Sequence, residues 1–222
     1  MLPLKLWRPQ WFDGVALAAG AAAPDVSYLF DGTGWPVWPL SHQWLGVLVW
    51  NLPVAFLLTW LLRAAAPSVA THLPDVWALR DYGALARVRH PVAVTGLSAM
   101  IGAASHIVAD DIEDLHPLLE PALTVVGVVA AVALARYIAR HRLIRAWHGA
   151  APVVPIRPVL FWTTAAAVAI PGAAVVPFLP AAFLSHTSGA RLIAVITVAL
   201  AVAAAVTTAS SGAASRRSFR GR

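Results

Sequence analysis

A chain of 222 residues that is 59% apolar and only 12% charged, with a mean hydropathy of +0.73, cannot cover a soluble globule with polar groups. The net charge of +6 and pI near 11.0 do not indicate nucleic acid, because the arginines are dispersed among short segments and form no single basic face. Cysteine is absent, which excludes disulfides, thiolate zinc sites and a thiol nucleophile.

The charges lie between long apolar runs, as a bilayer demands, so the sequence predicts an all-α, polytopic membrane helix bundle. Six apolar runs fall at 14–30, 45–62, 92–109, 122–138, 159–180 and 192–209. Each is about 17–22 residues, enough for a hydrocarbon core of about 30 Å at about 1.5 Å per residue. The first begins after Lys5 and Arg8 and also resembles a cleavable signal peptide, although its leading segment is long and rich in Trp and Pro. Runs of small residues, Ala18 to Ala23, Gly96 to Ala104 and Ala199 to Ala205, suit close helix approach. The fifth run carries Pro171, Pro177 and Pro180, which predicts a break near its outer end. Residues 1–209 thus form one membrane-embedded domain, and 210–222 a basic, disordered cytoplasmic tail.

Placing the N-terminus in the cytoplasm puts every lysine and arginine except Arg191 on the inner side. The acidic group Asp110, Asp111, Glu113 and Asp114 then falls outside, and both termini are cytoplasmic. Trp7, Trp11, Trp35, Trp38, Trp44, Trp77 and Trp147 stand at or near segment ends, where aromatic belts form. Ala- and Arg-rich composition with a single lysine points to a bacterial inner (plasma) membrane protein.

Ionisable groups near membrane segments are costly and therefore informative. Asp25 follows Pro24 late in the first run, and His42 precedes the second. His106 and Asp110 close the third, at an i, i+4 spacing that puts both on one helix face. The charge-derived topology brings all four to the outer interface. Imidazole plus carboxylate suits zinc or a similar divalent ion, which can activate a water toward an ester or phosphoester. The plainer reading is that His106 and Asp110 pair to stabilise a helix end.

Asp114 is a further candidate for the same site, while Asp111 and Glu113 read as a solvated loop. His116 and His186 are accessory candidates on the outer side. His72, His90, His141 and His148 fall on the inner side and are excluded from the site. Asn51, early in the second run, calls for a hydrogen-bond partner near it. No phosphate-binding loop, nucleophile elbow or HExxH motif is present.

The order Pro24-Asp25, Ser41-His42, Leu73-Pro74 and Gly102-Ala-Ala-Ser-His106-Ile-Val-Ala-Asp110 resembles an uncharacterised family of bacterial membrane proteins, DUF4184, over roughly residues 14–140. That family is in turn distantly similar to membrane-bound metal-dependent hydrolases. The resemblance implies a metal site formed by Asp25, His42, His106 and Asp110. Three histidines of the family pattern are replaced here, by the segment Leu6 to Pro9, by Asp114 and by Glu120-Pro121.

Three functions follow as expectations. The first is a metal-dependent hydrolase of a lipid or phosphoester at the outer face, with zinc or a similar ion as cofactor. The second is a non-catalytic membrane scaffold, a relative without metal. The third is a transporter, which the mostly Ala, Val and Leu inner helix halves disfavour.

Overall fold

The computed structural model describes residues 2–87 and 90–220, with side chains described over 3–87 and 90–210. Arg89 and Arg222 of the charge pattern lie outside the described residues, as do the side chains of the basic tail beyond Ser210.

Among the described residues every regular element is helical. The chain opens with α1 (Leu2–Trp7) and α2 (Gly14–Ala22), followed by a 3-10 segment (Pro24–Phe30) and α3 (Val37–Ser41). One continuous helix is then assembled from α4 (Trp44–Gly46), a π-turn (Val47–Asn51) and α5 (Leu52–His72). A 3-10 segment (Leu79–Ala86) leads to α6 (Val92–Glu113), α7 (Leu119–Arg140) and the short α8 (Leu143–His148). The chain ends with α9 (Pro158–Val175), a 3-10 turn (Val176–Phe178) and α10 (Ser185–Arg220).

Five helices are long and apolar enough to cross a bilayer: Trp44–His72, α6, α7, Pro158–Phe178 and Ser185–Ser210. The protein is a multi-pass integral membrane protein. Its burial pattern fits that environment. Leu57, Trp60, Leu97, Val125, Ile170 and Ile193 face outward, whereas Asp13, Ser27, Ser41, Asn51, Thr59 and Arg63 are buried. A soluble protein does the reverse. Lipid supplies no hydrogen bonds, so polar side chains turn inward to find one another.

The first expected run, 14–30, takes a different form. Helix α2 has nine residues, about 14 Å of rise, and gives way at Pro24 to a tighter 3-10 coil. Asp13 starts α2 as its N-cap, accepting from the Val15 and Ala16 N–H groups. In the fifth run the helix breaks where its prolines predict, with α9 stopping at Val175, two residues before Pro177.

Helices α2 and α6 run parallel, since the Asp13 N–H meets Ser98 Oγ at one end while Asp25 meets His106 at the other. They touch backbone to backbone. A β-carbon at Gly20 would collide with the Ala99 carbonyl oxygen, and one at Gly102 would collide with that of Leu17. Small residues permit this approach, and α5 packs against the same pair.

Arg63, which the charge pattern assigns to an inner loop, lies instead within α5 and is buried. Its NH2 group reaches Asp13 Oδ2 at 2.7 Å, and Thr95 Oγ1 donates to the same oxygen at 2.8 Å. The carboxylate therefore offsets the arginine charge inside the bundle. That pairing lets the helix run on to His72.

Lys5 bonds His90 just before α6. Arg157, just before α9, reaches Ser210 of α10 and gives its N–H to His72 at the end of α5. Both ends of the described chain therefore sit at one end of the bundle. Helix α7 stands apart, with only Ile138 buried.

Candidate metal centre

Pro24 ends the α-helical hydrogen bonding of α2 and turns the chain so that Asp25 lies in the first turn of the 3-10 segment. Ser27, two residues on, is buried and accepts from Ser41 Oγ at 2.9 Å. That bond ties the segment to the end of α3. His42 is the C-cap of α3, and from α6 come His106 and Asp110, one turn apart.

The four side chains converge. Asp25 Oδ1 lies 3.8 Å from His42 Nε2 and 3.4 Å from His106 Nε2. Asp110 Oδ2 lies 3.7 Å from His42 Nε2 and 3.4 Å from His106 Nε2. The four ligand atoms thus alternate, nitrogen and oxygen, around one centre. Ligands held at about 2.0–2.2 Å from a tetrahedral ion are separated by about 3.3–3.6 Å, close to these four nitrogen-to-oxygen distances. Among the described residues the mutually close group is Asp25, His42 and His106, whose ligand atoms all lie within 4.8 Å of one another; Asp110 is outside it and borders it through the two histidines.

Two further observations bear on fit. Among the described residues His42 Nε2 and Asp110 Oδ2 are buried with no hydrogen-bond partner, which is what donors awaiting a cation look like. His42 Nδ1 lies 2.8 Å from Ser41 Oγ and 3.3 Å from the Trp38 carbonyl oxygen. A carbonyl can only accept, so the ring proton belongs on Nδ1 and the Nε2 lone pair faces the centre. Asn51, fully buried, donates from Nδ2 to the Ser41 carbonyl at 2.8 Å and fixes this support from below. The histidine side chains are 14% and 20% exposed but the carboxylates 46% and 39%, so the centre opens on its carboxylate side.

The DUF4184 family model, described as a domain of unknown function, matches residues 1–114. The chain belongs to this family. No curated protein and no solved structure matches it. In this DUF4184 protein the matched stretch ends at Asp114, the C-cap of α6, and contains Asp25, His42, His106 and Asp110.

The remaining candidates divide by position. His186, at the start of α10, packs on Tyr28 with ring centroids 4.8 Å apart, and Tyr28 in turn lies 5.6 Å from His42. It therefore stands at the rim. The Asp114 N–H bonds the Asp110 carbonyl and closes α6, while the His116 ring accepts from the Leu118 N–H in the following loop. His72, His90 and His148 lie at the other end of the bundle, and His141 packs on Tyr137 at the end of α7.

Some relationships escape a reading of the sequence. Arg191, the one basic residue expected outside, donates to the Pro180 and Asp31 carbonyls, and Thr187 donates to the Asp31 carboxylate. These bonds clamp α10, beyond the matched stretch, onto the segment that carries Asp25. The Asp13 cap is different. An aspartate directly before Gly-Val-Ala-Leu is an N-cap signal that spacing alone offers.

Proposed function

We propose that this membrane protein is a metal-dependent hydrolase acting on a lipid or other ester or phosphoester at the outer face of a bacterial inner membrane. The observation that carries this reading is the alternating set of Asp25, His42, His106 and Asp110 donor atoms, with two of them buried and unbonded. A divalent ion such as zinc would supply Lewis-acid polarisation of the ester and activation of water. Ser41 and Trp38 hold the His42 ring in place. Tyr28 and His186 line the rim where a substrate would enter.

The outer location is supported by charge, because the described basic residues Lys5, Arg142 and Arg157 belong to the opposite end. A lipid substrate is supported by exposed Trp38, whose ring lies 5.8 Å from that of His42, with exposed Trp35 and Trp44 in the same stretch of chain, residues that favour the headgroup level.

A scaffold without metal is favoured by one observation: the same four side chains are each other's ion-pair partners and tie three segments together. Transport is disfavoured, because the polar groups deeper in the bundle bond one another around Asp13.

Metal content of the detergent-purified protein, read by mass spectrometry, tests the proposal. One equivalent of zinc or manganese, lost in His106→Ala with Asp25→Asn, is expected. A folded wild type that takes up no added divalent ion would leave the scaffold.

A further inference from the structure

The segment that carries Asp25 is a 3-10 coil of seven residues, Pro24–Phe30, with Asp25 in its first turn and Asp31 as its C-cap. The hydrogen bonds of such a coil are poorly aligned, so runs beyond three or four residues are uncommon. This one therefore needs ties to the rest of the fold. Its middle is tied to α3 by the bond between Ser27 and Ser41. Its far end is tied to α10, outside the stretch that the family model matches.

Arg191 makes that tie and is 4% exposed. Its NH1 group donates to the Pro180 carbonyl at 2.6 Å and its NH2 group to the Asp31 carbonyl at 2.8 Å. Burying a guanidinium is costly, and here both groups serve backbone oxygens that are far apart in sequence. The fork is planar and rigid, so it fixes the spacing of the two carbonyls. Thr187, fully buried one turn earlier in α10, donates to the Asp31 carboxylate. Ser188 Oγ donates to the Ala182 carbonyl at 2.7 Å and holds the same loop, in which Ala181 has an unfavourable φ of +57°. Gly32, at φ +75°, lets the chain after Asp31 pass so near that a β-carbon would lie 2.5 Å from Pro180 Cβ.

We propose that Arg191 and Thr187 are positioning residues of the metal centre, holding the coil through Asp31 so that Asp25 stands beside His106 and His42. The ligands then come from the first half of the chain, while their geometry is completed by its last helix. For its effect on metal the proposal rests on Asp25 being a ligand; the tie between α10 and the coil does not. Charge and positioning act with opposite sign here. A nearby cation repels a divalent ion, so removing Arg191 on grounds of charge alone would tighten metal binding. Losing the clamp weakens it.

The test uses the full chain in detergent, with cobalt(II) binding titrated and amide hydrogen exchange of residues 26–31 measured without metal. Arg191→Met, Arg191→Lys and Thr187→Val should each bind cobalt about tenfold more weakly or worse, the size typical of residues that orient ligands. Each should also exchange faster at 26–31. Lysine keeps the charge and lacks the fork. Thr187→Ser, which keeps the hydroxyl, should match the wild type in both readouts. So should Leu200→Ala, which loosens α10 where it packs on the cluster around Phe161. Equal or tighter cobalt binding in Arg191→Met, or equal weakening by Leu200→Ala, would overturn the proposal. If the wild type takes up no cobalt, the metal reading fails by itself and exchange decides. Faster exchange in Arg191→Met than in Leu200→Ala then upholds the clamp, and equal exchange overturns it. Should Arg191→Met not fold, Thr187→Val, which swaps one hydroxyl for a methyl, decides by the same criteria.

Discussion

Asp25 Oδ1 lies 3.4 Å from His106 Nε2, and this closeness is set lower down, where Gly20 and Gly102 let α2 and α6 touch. The centre therefore depends on residues that make no contact with it. Gly102→Ala should separate the helices, lower stability by about 1–3 kcal/mol and weaken metal uptake in the same variant. Thermal melting followed by tryptophan fluorescence, beside metal content, reads both effects. Gly127→Ala is the control, because a β-carbon there meets nothing within 4 Å.

The buried pair of Arg63 and Asp13 makes a second prediction. Arg63→Ala leaves a carboxylate in the bundle without its counter-charge, at a cost of about 3–5 kcal/mol. Combining Arg63→Met with Asp13→Asn removes both charges and keeps a capping side chain, so the double variant should melt above Arg63→Ala. A double variant no better than the single one would show that the cap and packing, rather than charge, dominate.

Acid should loosen the end of the bundle that holds His148. Its folded value of about 4 lies below the ordinary 6.5, mainly through burial. Between those values the unfolded chain binds a proton that the folded chain refuses, so folding loses stability as pH falls through this window. Above pH 6.5 the contribution is intact. His148→Phe should flatten the dependence of melting temperature on pH between 6.5 and 4, while carboxylate effects at lower pH persist.

Metal binding should also be visible as stability. An ion that binds only the folded state at a hundred times its dissociation constant adds about 2.7 kcal/mol. Added zinc should therefore raise the melting temperature of the wild type and leave His106→Ala unmoved. An equal rise in both would place the ion elsewhere.

The bundle was legible in the sequence because membrane solvation acts on composition, and composition is local. The long apolar helices and the shared face of His106 and Asp110 follow from run length and helical period. Arg63 was not legible as an intramembrane residue, because its tolerance depends on Asp13, which is distant in sequence and near only in the fold. The same holds for Arg191, whose partners at Pro180 and Asp31 are brought together by the packing of α10. The orientation of the His42 ring was hidden for another reason. It is decided by the Trp38 carbonyl, and a backbone atom has no signature in the sequence.

The π-turn at Val47–Asn51 is in effect one extra residue wound into the helix. Above it lie Trp44 and the approach to His42; below it lie Thr59 and Arg63, facing inward. Deleting a single codon there would relax the coil to an ordinary α-helix and leave what lies below in nearly the same phase as what lies above, because the wider turn takes up that residue. The same deletion in the regular coil between the turn and Arg63 would instead rotate Arg63 by about 100°, from Asp13 toward lipid. A one-residue change in length is therefore absorbed at this turn but not in the regular coil of α5, so the turn keeps the two parts of the helix in phase.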